Sequence, residues 1–437
     1  MHKSAVILAA GLGTRMKSQR PKVLHDIAGF SMISLLVRAV EPSFDRIVVV
    51  TGPSAEAVAQ AVAPHSVVVQ AEPRGTAHAA LIASAEFGDG LVTIIYGDNP
   101  LLTTETFDAL THRIEAGLAD LAFLGTRAPV PSSFGRIVSL GNQAVRIVEA
   151  AHATDAERAV GLCNVGGFSA RASDLRRWLG RVNNQNSKAE YYITDIVSIA
   201  NEEGAQVSVV EAAWEECLGV NSRAELAAAE AAMQIRLRTE ALEAGVTLTA
   251  PETVFFAADT MFAPDVVVEP NVIFGRGVEV SSGAVIRAFC HLEGCKIGSN
   301  TIIGPYARIR PGTVIETGVR IGNFVELKAA QVGAGSRANH LSYLGDSDIG
   351  AGTNIGAGTI TCNYDGFSKN RTIIGSGVFV GSNVALVAPV RVGDGSMIAA
   401  GSVITKDVEA DALALARGQQ TQKPGRAAVM RLARKKP

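Results

Sequence analysis

A chain of 437 residues with 47% apolar content has the length for two or three domains and enough apolar side chains to give each a core. Its formal net charge of −2 argues against a dedicated nucleic-acid binder, and no apolar run reaches the length of a membrane span. Five scattered cysteines (Cys163, Cys217, Cys290, Cys295 and Cys362), with no CxxC pair, read as reduced thiols of a cytoplasmic protein without a zinc site.

Residues 4–220 alternate apolar strands with amphipathic helices. Ala5–Ala10 has a faint signal-peptide look, but it is too short, and Arg15, Lys17, Arg20 and Lys22 follow at once, so it reads as a strand. Ile47–Val50, Val67–Val69, Val92–Tyr96, Ala122–Gly125 and Val207–Val210 are further strands. These runs lack polar alternation, as strands covered on both faces of a parallel α/β sheet do. Residues 222–244 are rich in helix formers and stop at Gly245, which predicts a linker helix over 221–245, capped by Asn221 or Ser222.

The period then changes. Ile297, Ile303, Ile309, Ile315, Ile321 and Leu327 are six residues apart, as are Ile374, Val380, Leu386, Val392, Ile398 and Ile404. Six fits neither a helix nor a lone strand; it fits a short strand plus a corner, repeated. A solenoid is therefore expected over 246–415. Gly298, Gly304, Gly322, Gly350, Gly356, Gly375, Gly381 and Gly393 follow ladder residues, where a corner asks for positive φ or close approach. The tail, 416–437, carries seven basic residues and no acidic one.

Two constellations carry chemistry. In the first, the strand Ala5–Ala10 runs into Gly11-Leu-Gly-Thr-Arg15-Met, then Pro21-Lys22. Such a Gly-rich turn offers backbone N–H groups to an anion, although it is neither a P-loop nor a GxGxxG motif. The strand Val92–Tyr96 ends in Gly97-Asp98-Asn99-Pro100, which puts a carboxylate where open α/β sheets bind ligands. In the second, the six-residue period falters over Asn323–Gly350, where Glu326, Lys328, Asn339, His340 and Tyr343 stand. Residues Thr361–Thr372 then insert a polar loop. His340 is the candidate general base, since imidazole titrates in the range that deprotonates an amine nucleophile. A β-helical metal hydratase needs a histidine cluster, and His291 and His340 are the only two in the repeat region.

L-A-A-G-x-G-T-R-M, P-K and Y-G-D together resemble the sugar-1-phosphate nucleotidyltransferases. The six-residue ladder resembles the left-handed parallel β-helices of hexapeptide acyltransferases. With N-H-L-S-Y-L-G-D and N-I-G-A-G-T-I-T-C-N-Y-D-G added, nearly the whole chain resembles the bacterial family of bifunctional N-acetylglucosamine-1-phosphate uridylyltransferase/glucosamine-1-phosphate N-acetyltransferases. The resemblance implies an α/β nucleotidyltransferase (Rossmann-like) domain over 1–220, the linker helix, and a hexapeptide β-helix acetyltransferase domain.

By that resemblance Leu8, Ala9, Ala10, Gly11, Lys22, Gln70, Gly75 and Thr76 meet the nucleotide. Tyr96, Gly97, Asp98, Gly135, Glu149, Asn164 and Asn221 lie on the sugar side. Asp98 and Asn221 hold Mg²⁺ as hard oxygen donors, and Arg15 and Lys22 neutralise the phosphates of UTP. In the repeat domain Arg310, Lys328, Tyr343, Asn354, Asn363 and Lys369 hold glucosamine-1-phosphate. Ala357, Asn363, Tyr364, Ser382, Ala400 and Arg417 contact acetyl-CoA, His340 is the base and Glu326 its orienter. The basic tail suits the CoA phosphates. Flat-sided β-helical prisms close into a homotrimer, with the acetyl site shared between chains.

Three departures from the family pattern bear on the sugar and phosphate contacts: Leu12 where a basic residue is common, Ser133-Phe134-Gly135 for Gly-Tyr-Gly, and Glu149-Ala-Ala-His-Ala without the usual Lys-Asp. The alternative reading is a nucleotidyltransferase whose β-helix is only a scaffold.

Overall fold

The computed structural model describes the chain except for Leu12, Ala151, Ser187 and residues 54–55, 130–133, 141–142 and 435–437. Two of the three departures, Leu12 and Ser133, thus lie outside the described residues, as does Ala151 of the third. The chain forms two compact units, Met1–Arg236 and Leu237–Pro437, and the boundary falls inside the helix Arg223–Glu243 rather than at its start.

The first unit is built on one sheet. Its strands run, edge to edge, Val207–Glu211, Leu121–Arg127, Leu162–Arg171, Leu91–Tyr96, Lys3–Ala9, Arg46–Thr51 and Ser66–Val69. Within a strand, successive apolar residues serve opposite cores. Val6 packs with Val48, Val92 and Phe123 on one face, whereas Ala5 and Ile7 pack with Ile47, Val49 and Ile95 on the other. That two-sided burial is why the runs show no polar alternation.

The sheet is not wholly parallel. Leu162–Arg171 pairs antiparallel with both neighbours, Leu91–Tyr96 and Leu121–Arg127. Its register slips between Asn164 and Phe168, where Gly166 and Gly167 take φ of 95° and 65°. A Cβ on Gly166 would come within 2.5 Å of the Tyr96 ring, so the bulge needs glycine there. A hairpin, Arg136–Leu140 with Gln143–Val148, extends from this strand.

In the second unit, strands of two to four residues form three parallel sheets, and the chain visits the three in turn. Most coils advance the pairing by 17 or 18 residues: Ile302 pairs with Arg320 and Glu326 with Tyr343. The ladder side chains point inward and are buried, Ile303, Ile309, Leu327, Val380 and Leu386 completely. Each such burial is worth about 1.5–3 kcal/mol, which stacks the coils without help from long strands. Ala241 of the helix, with Val246, Leu248 and Phe256, joins the same core.

The ladder does not falter over 323–350. It continues through Leu327, Val332, Ala338, Leu344, Ile349 and Ile355, all buried. Two steps, Leu327 to Val332 and Leu344 to Ile349, are five residues long, which breaks the count but not the coil. The real insertion is at Asn363–Arg371, where Ser347 pairs with Thr372, 25 residues on. Of the eight ladder-following glycines only Gly304 has positive φ. Others are needed for close approach instead: a Cβ on Gly350 would lie 2.5 Å from the Gly375 backbone of the next coil.

Candidate active sites

A cavity of about 790 Å³ opens at the C-terminal edge of the first unit's sheet. Leu8, Ala9, Ala10, Gly11 and Arg15 line it from the first strand and its turn, and Gln70, Gly75 and Thr76 from the segment after Ser66–Val69. Tyr96, Asp98, Gly135, Glu149, Asn164 and Asn221 line it as well. Gly97 is not a lining residue. Its N–H donates to Leu8 O at 2.9 Å and a Cβ there would meet that oxygen, so it holds two strand ends together.

Lys22 sits at the centre. Its Nζ donates to Asp98 Oδ2 at 2.7 Å and to Asn221 Oδ1 at 2.9 Å. Two hard oxygen donors far apart along the first unit thus converge on one cationic point, the arrangement a divalent cation needs when phosphates and water complete its shell. Asp98 is held by its carbonyl, which accepts from Val220 N–H at 2.9 Å. Asn221 is held by its own N–H, which donates to Glu225 Oε2 at 2.8 Å. Of the two possible caps, Ser222 caps the helix, its Oγ accepting from Glu225 N–H at 3.2 Å, and this leaves the Asn221 amide to the cavity. Among the described residues no group of three or more His, Cys, Asp or Glu gathers for a metal.

Across the cavity the charge is negative. Burial first, then the Glu149 and Asp98 carboxylates, push the Tyr96 phenol well above its usual range, so it stays a neutral hydroxyl. Burial and Glu149 also raise the Asp195 carboxyl. Glu149 accepts from Thr194 Oγ1 at 3.4 Å, and Asn164 Oδ1 from Gly166 N–H at 3.1 Å within the bulge. These acceptors face the side where sugar hydroxyls are expected.

The second unit's candidates lie on its outer surface. His340 is exposed at the end of the strand Arg337–His340, and its Nδ1 lies 2.9 Å from Asn323 Oδ1. A carbonyl oxygen can only accept, so Nδ1 is the donor of this pair, and in the neutral ring that leaves the lone pair on Nε2. The side chain beside His340 Nδ1 is thus Asn323, while the Glu326 carboxylate accepts from Arg310 Nη1 at 2.8 Å. Lys328 Nζ donates to Asp346 Oδ2 at 3.2 Å. Asn363 Nδ2 donates to the same Asp346 oxygen and to the Tyr343 hydroxyl, the latter at 3.3 Å.

Asn354 is not part of that group. It stands on another sheet, paired with Arg337 and Phe379. In the inserted loop Lys369 Nζ lies 4.5 Å over the Tyr364 ring. Asp365 shapes the loop, accepting from Phe367 and Ser368 N–H at 2.8 and 2.7 Å, and these bonds hold its carboxyl down at about 2. Ala357, Ser382 and Ala400 sit one above another at successive corners, and Arg417 Nη1 donates to Ala400 O at 2.8 Å.

Residues 5–161 match the model of the MobA-like NTP transferase domain, and residues 294–329 and 371–406 match that of the bacterial transferase hexapeptide (six repeats). A bifunctional protein GlmU of Acidiphilium cryptum is 65% identical over 436 residues, covering 100% of both chains. Those of Granulibacter bethesdensis and Gluconacetobacter diazotrophicus are 59% and 56% identical, each over 98% of this chain and 96% and 94% of their own. The chain belongs to the GlmU family of bifunctional proteins.

As a GlmU-family chain it is a two-activity transferase, a uridylyltransferase with an acetyltransferase, and its repeat unit is the family's left-handed β-helix. No helix of the described residues is long and apolar enough to cross a membrane. Sequence reasoning missed several residues of the two sites. Lys188, Glu190, Tyr192 and Thr194 line the nucleotidyltransferase cavity, carried there because Thr76 Oγ1 accepts from Ile193 N–H at 3.0 Å. Asp346, the acceptor shared by Lys328 and Asn363, stood in the Y-L-G-D motif without a role.

Proposed function

We propose that the chain acetylates glucosamine-1-phosphate with acetyl-CoA in its repeat unit and then transfers UMP from UTP to the N-acetylglucosamine-1-phosphate formed. In the second reaction an oxygen of the sugar phosphate attacks the α-phosphorus of UTP in line, and pyrophosphate leaves. Positioning and charge neutralisation dominate such a transfer. Asp98 and Asn221 would hold Mg²⁺, which supplies charge neutralisation at the phosphates when bound. Arg15 and Lys22 meet the triphosphate, with backbone N–H groups of the Gly11 turn. Glu149, Asn164 and the neutral Tyr96 hydroxyl orient the sugar. The observation that carries this half is the meeting of Lys22 with Asp98 and Asn221 inside the cavity.

In the first reaction His340 Nε2 takes a proton from the amine of glucosamine-1-phosphate as its nitrogen attacks the thioester carbonyl, and the CoA thiolate leaves. Asn323 keeps the productive tautomer. Arg310, Lys328 and Lys369 face the sugar phosphate. Arg417, Tyr364 and the corners at Ala357, Ser382 and Ala400 receive the coenzyme. The working state is a homotrimer in the cytoplasm, with all five cysteines as free thiols.

A paired assay tests the proposal: UTP with N-acetylglucosamine-1-phosphate, and acetyl-CoA with glucosamine-1-phosphate. Both reactions should proceed, only the uridylyl transfer depending on Mg²⁺. Absence of CoA release would reduce the β-helix to a scaffold.

A further inference from the structure

Gln70 directly follows the strand Ser66–Val69 and lines the nucleotidyltransferase cavity, with only 4% of its surface exposed. Its N–H donates to Thr51 O at 2.7 Å, which ties its backbone to the neighbouring strand. The side chain is held as well. Nε2 lies 3.2 Å from Gly75 O and 2.9 Å from His78 Nδ1. Gly75 O can only accept, so the nitrogen of the amide must face it. The second amide hydrogen then goes to His78 Nδ1, which accepts through its lone pair. No described residue donates to Oε1. A buried amide thus spends both hydrogens on the protein and keeps one acceptor for a ligand.

Both partners belong to the start of the helix Thr76–Ile82. The Gly75 carbonyl also accepts from Ala79 N–H at 3.1 Å, so the helix keeps it from turning away. The helix start is itself pinned. Ala77 N–H donates to Tyr191 O at 2.9 Å, and a Cβ on Gly75 would run into the Tyr191 backbone. His78 stands in the first turn, half-buried, its ring 6.4 Å from that of Tyr191. Turning the Gln70 amide over would set Oε1 against the Gly75 carbonyl and the Nδ1 lone pair at once, acceptor against acceptor twice.

We propose that His78 is a positioning residue for base selection: by locking the Gln70 amide it makes the cavity accept uracil and refuse cytosine. The inference rests on the reading of this cavity as the UTP site. Uracil and cytosine share a shape and differ along one edge. Uracil carries a hydrogen on N3 beside the O4 acceptor, whereas cytosine has a lone pair on N3 beside an amino group. A fixed Oε1 accepts from uracil N3–H and repels the cytosine lone pair. A cytosine shifted to offer its amino group instead leaves N3 without a donor. An amide free to turn would serve either base. Refusal therefore depends on the lock, and His78 is the part of the lock that is a side chain. Nothing on this edge separates uracil from thymine.

The test compares His78→Asn with His78→Leu in the full chain. The two side chains have nearly the same shape. Asparagine keeps an acceptor, Oδ1, where the imidazole has Nδ1, and leucine puts a methyl group there. For each protein kcat/KM is measured with UTP and with CTP, in the presence of Mg²⁺ and N-acetylglucosamine-1-phosphate. The preference for UTP should be kept in His78→Asn and should fall by roughly 10–100-fold in His78→Leu. A merely structural role would slow both nucleotides alike and leave the ratio where it was. An unchanged ratio in His78→Leu therefore overturns the proposal, as does an equal fall in His78→Asn. Should leucine not fit, His78→Ala supplies the same comparison. Gln70→Ala separates this proposal from the reading beneath it. If that variant loses the preference and His78→Leu does not, only the role of His78 falls. If Gln70→Ala keeps the preference, Gln70 does not meet the base and both fall. A wild type that turns over neither nucleotide overturns the UTP reading and this proposal with it.

Discussion

The two halves of the chain solve the problem of a site in opposite ways. In the first unit, segments from Leu8 to Asn221 converge on one cavity, and the chain encloses its own reaction space. In the second, the coil interior is filled by its ladder, so every candidate residue is left on a strand face or a corner outside. A doubly covered sheet has free strand ends where loops can surround a ligand. A solenoid has no such end along its length, and a site on its flank needs a second wall. Enclosure in the first unit is intrinsic, whereas the second unit by itself offers an open flank.

Substitutions can break this comparison from either side. The largest effect should come from Asp98→Ala. It removes the one carboxylate of the cation point, and uridylyl transfer should drop by roughly 10³-fold or more. Acetyl transfer should not change. Near-normal UTP turnover would remove Asp98 from the phosphate-binding machinery.

On the other side, His340→Ala should lower acetyl transfer by roughly 10²–10⁴-fold, the usual worth of a general base, with uridylyl transfer intact. A small loss that does not vary with pH would take the base assignment from His340. The neighbouring residues sharpen the point. Asn323→Ala should cut the acetyl-transfer kcat by about 10-fold, a part of the base's contribution, and shift its pH profile. Glu326→Gln, which disturbs Arg310 instead, should raise the KM for the sugar phosphate and spare kcat. If the two variants exchange these signatures, Glu326 is the orienter after all.

The smallest effect concerns the inserted loop. The Ser368 and Phe367 N–H groups depress the Asp365 carboxyl from 3.8 to about 2. A depressed carboxyl contributes order that is fully present above its ordinary value and is lost as pH falls through the depressed one. Amide protection at Phe367 and Ser368 should therefore hold above pH 3.8 and fade towards pH 2. In NMR exchange measurements, protection unchanged over that window would show that Asp365 does not shape the loop.

Much of this was legible in the sequence, for reasons that differ between the halves. The ladder could be read because its inward residue recurs every six positions, and the nucleotide-side strands because both their faces are buried. The antiparallel strand Leu162–Arg171 could not, since Gly166-Gly167 interrupts its apolar run where the bulge forms. The five-residue steps at Val332 and Ile349 looked like a broken repeat, because counting cannot see a corner shorten while the ladder continues. The contact of His340 with Asn323 was missed for a similar reason. Along the sequence Glu326 lies nearer His340 than Asn323 does. In the coil the residue beside His340 is its register partner one turn back, and that is Asn323. Asp346 acts only across coils, through Lys328 and Asn363, so no local pattern pointed to it.

The central claim is that one chain runs two transfers in a fixed order, and one time course tests it. Wild-type protein is given glucosamine-1-phosphate, UTP and Mg²⁺, with and without acetyl-CoA, while CoA thiol, pyrophosphate and nucleotide sugar are followed together. The account predicts that thiol appears first, that pyrophosphate and UDP-N-acetylglucosamine follow after a lag, and that little of either forms without acetyl-CoA. Nucleotide sugar formed at the same rate without acetyl-CoA, or pyrophosphate released with no thiol at all, would contradict it.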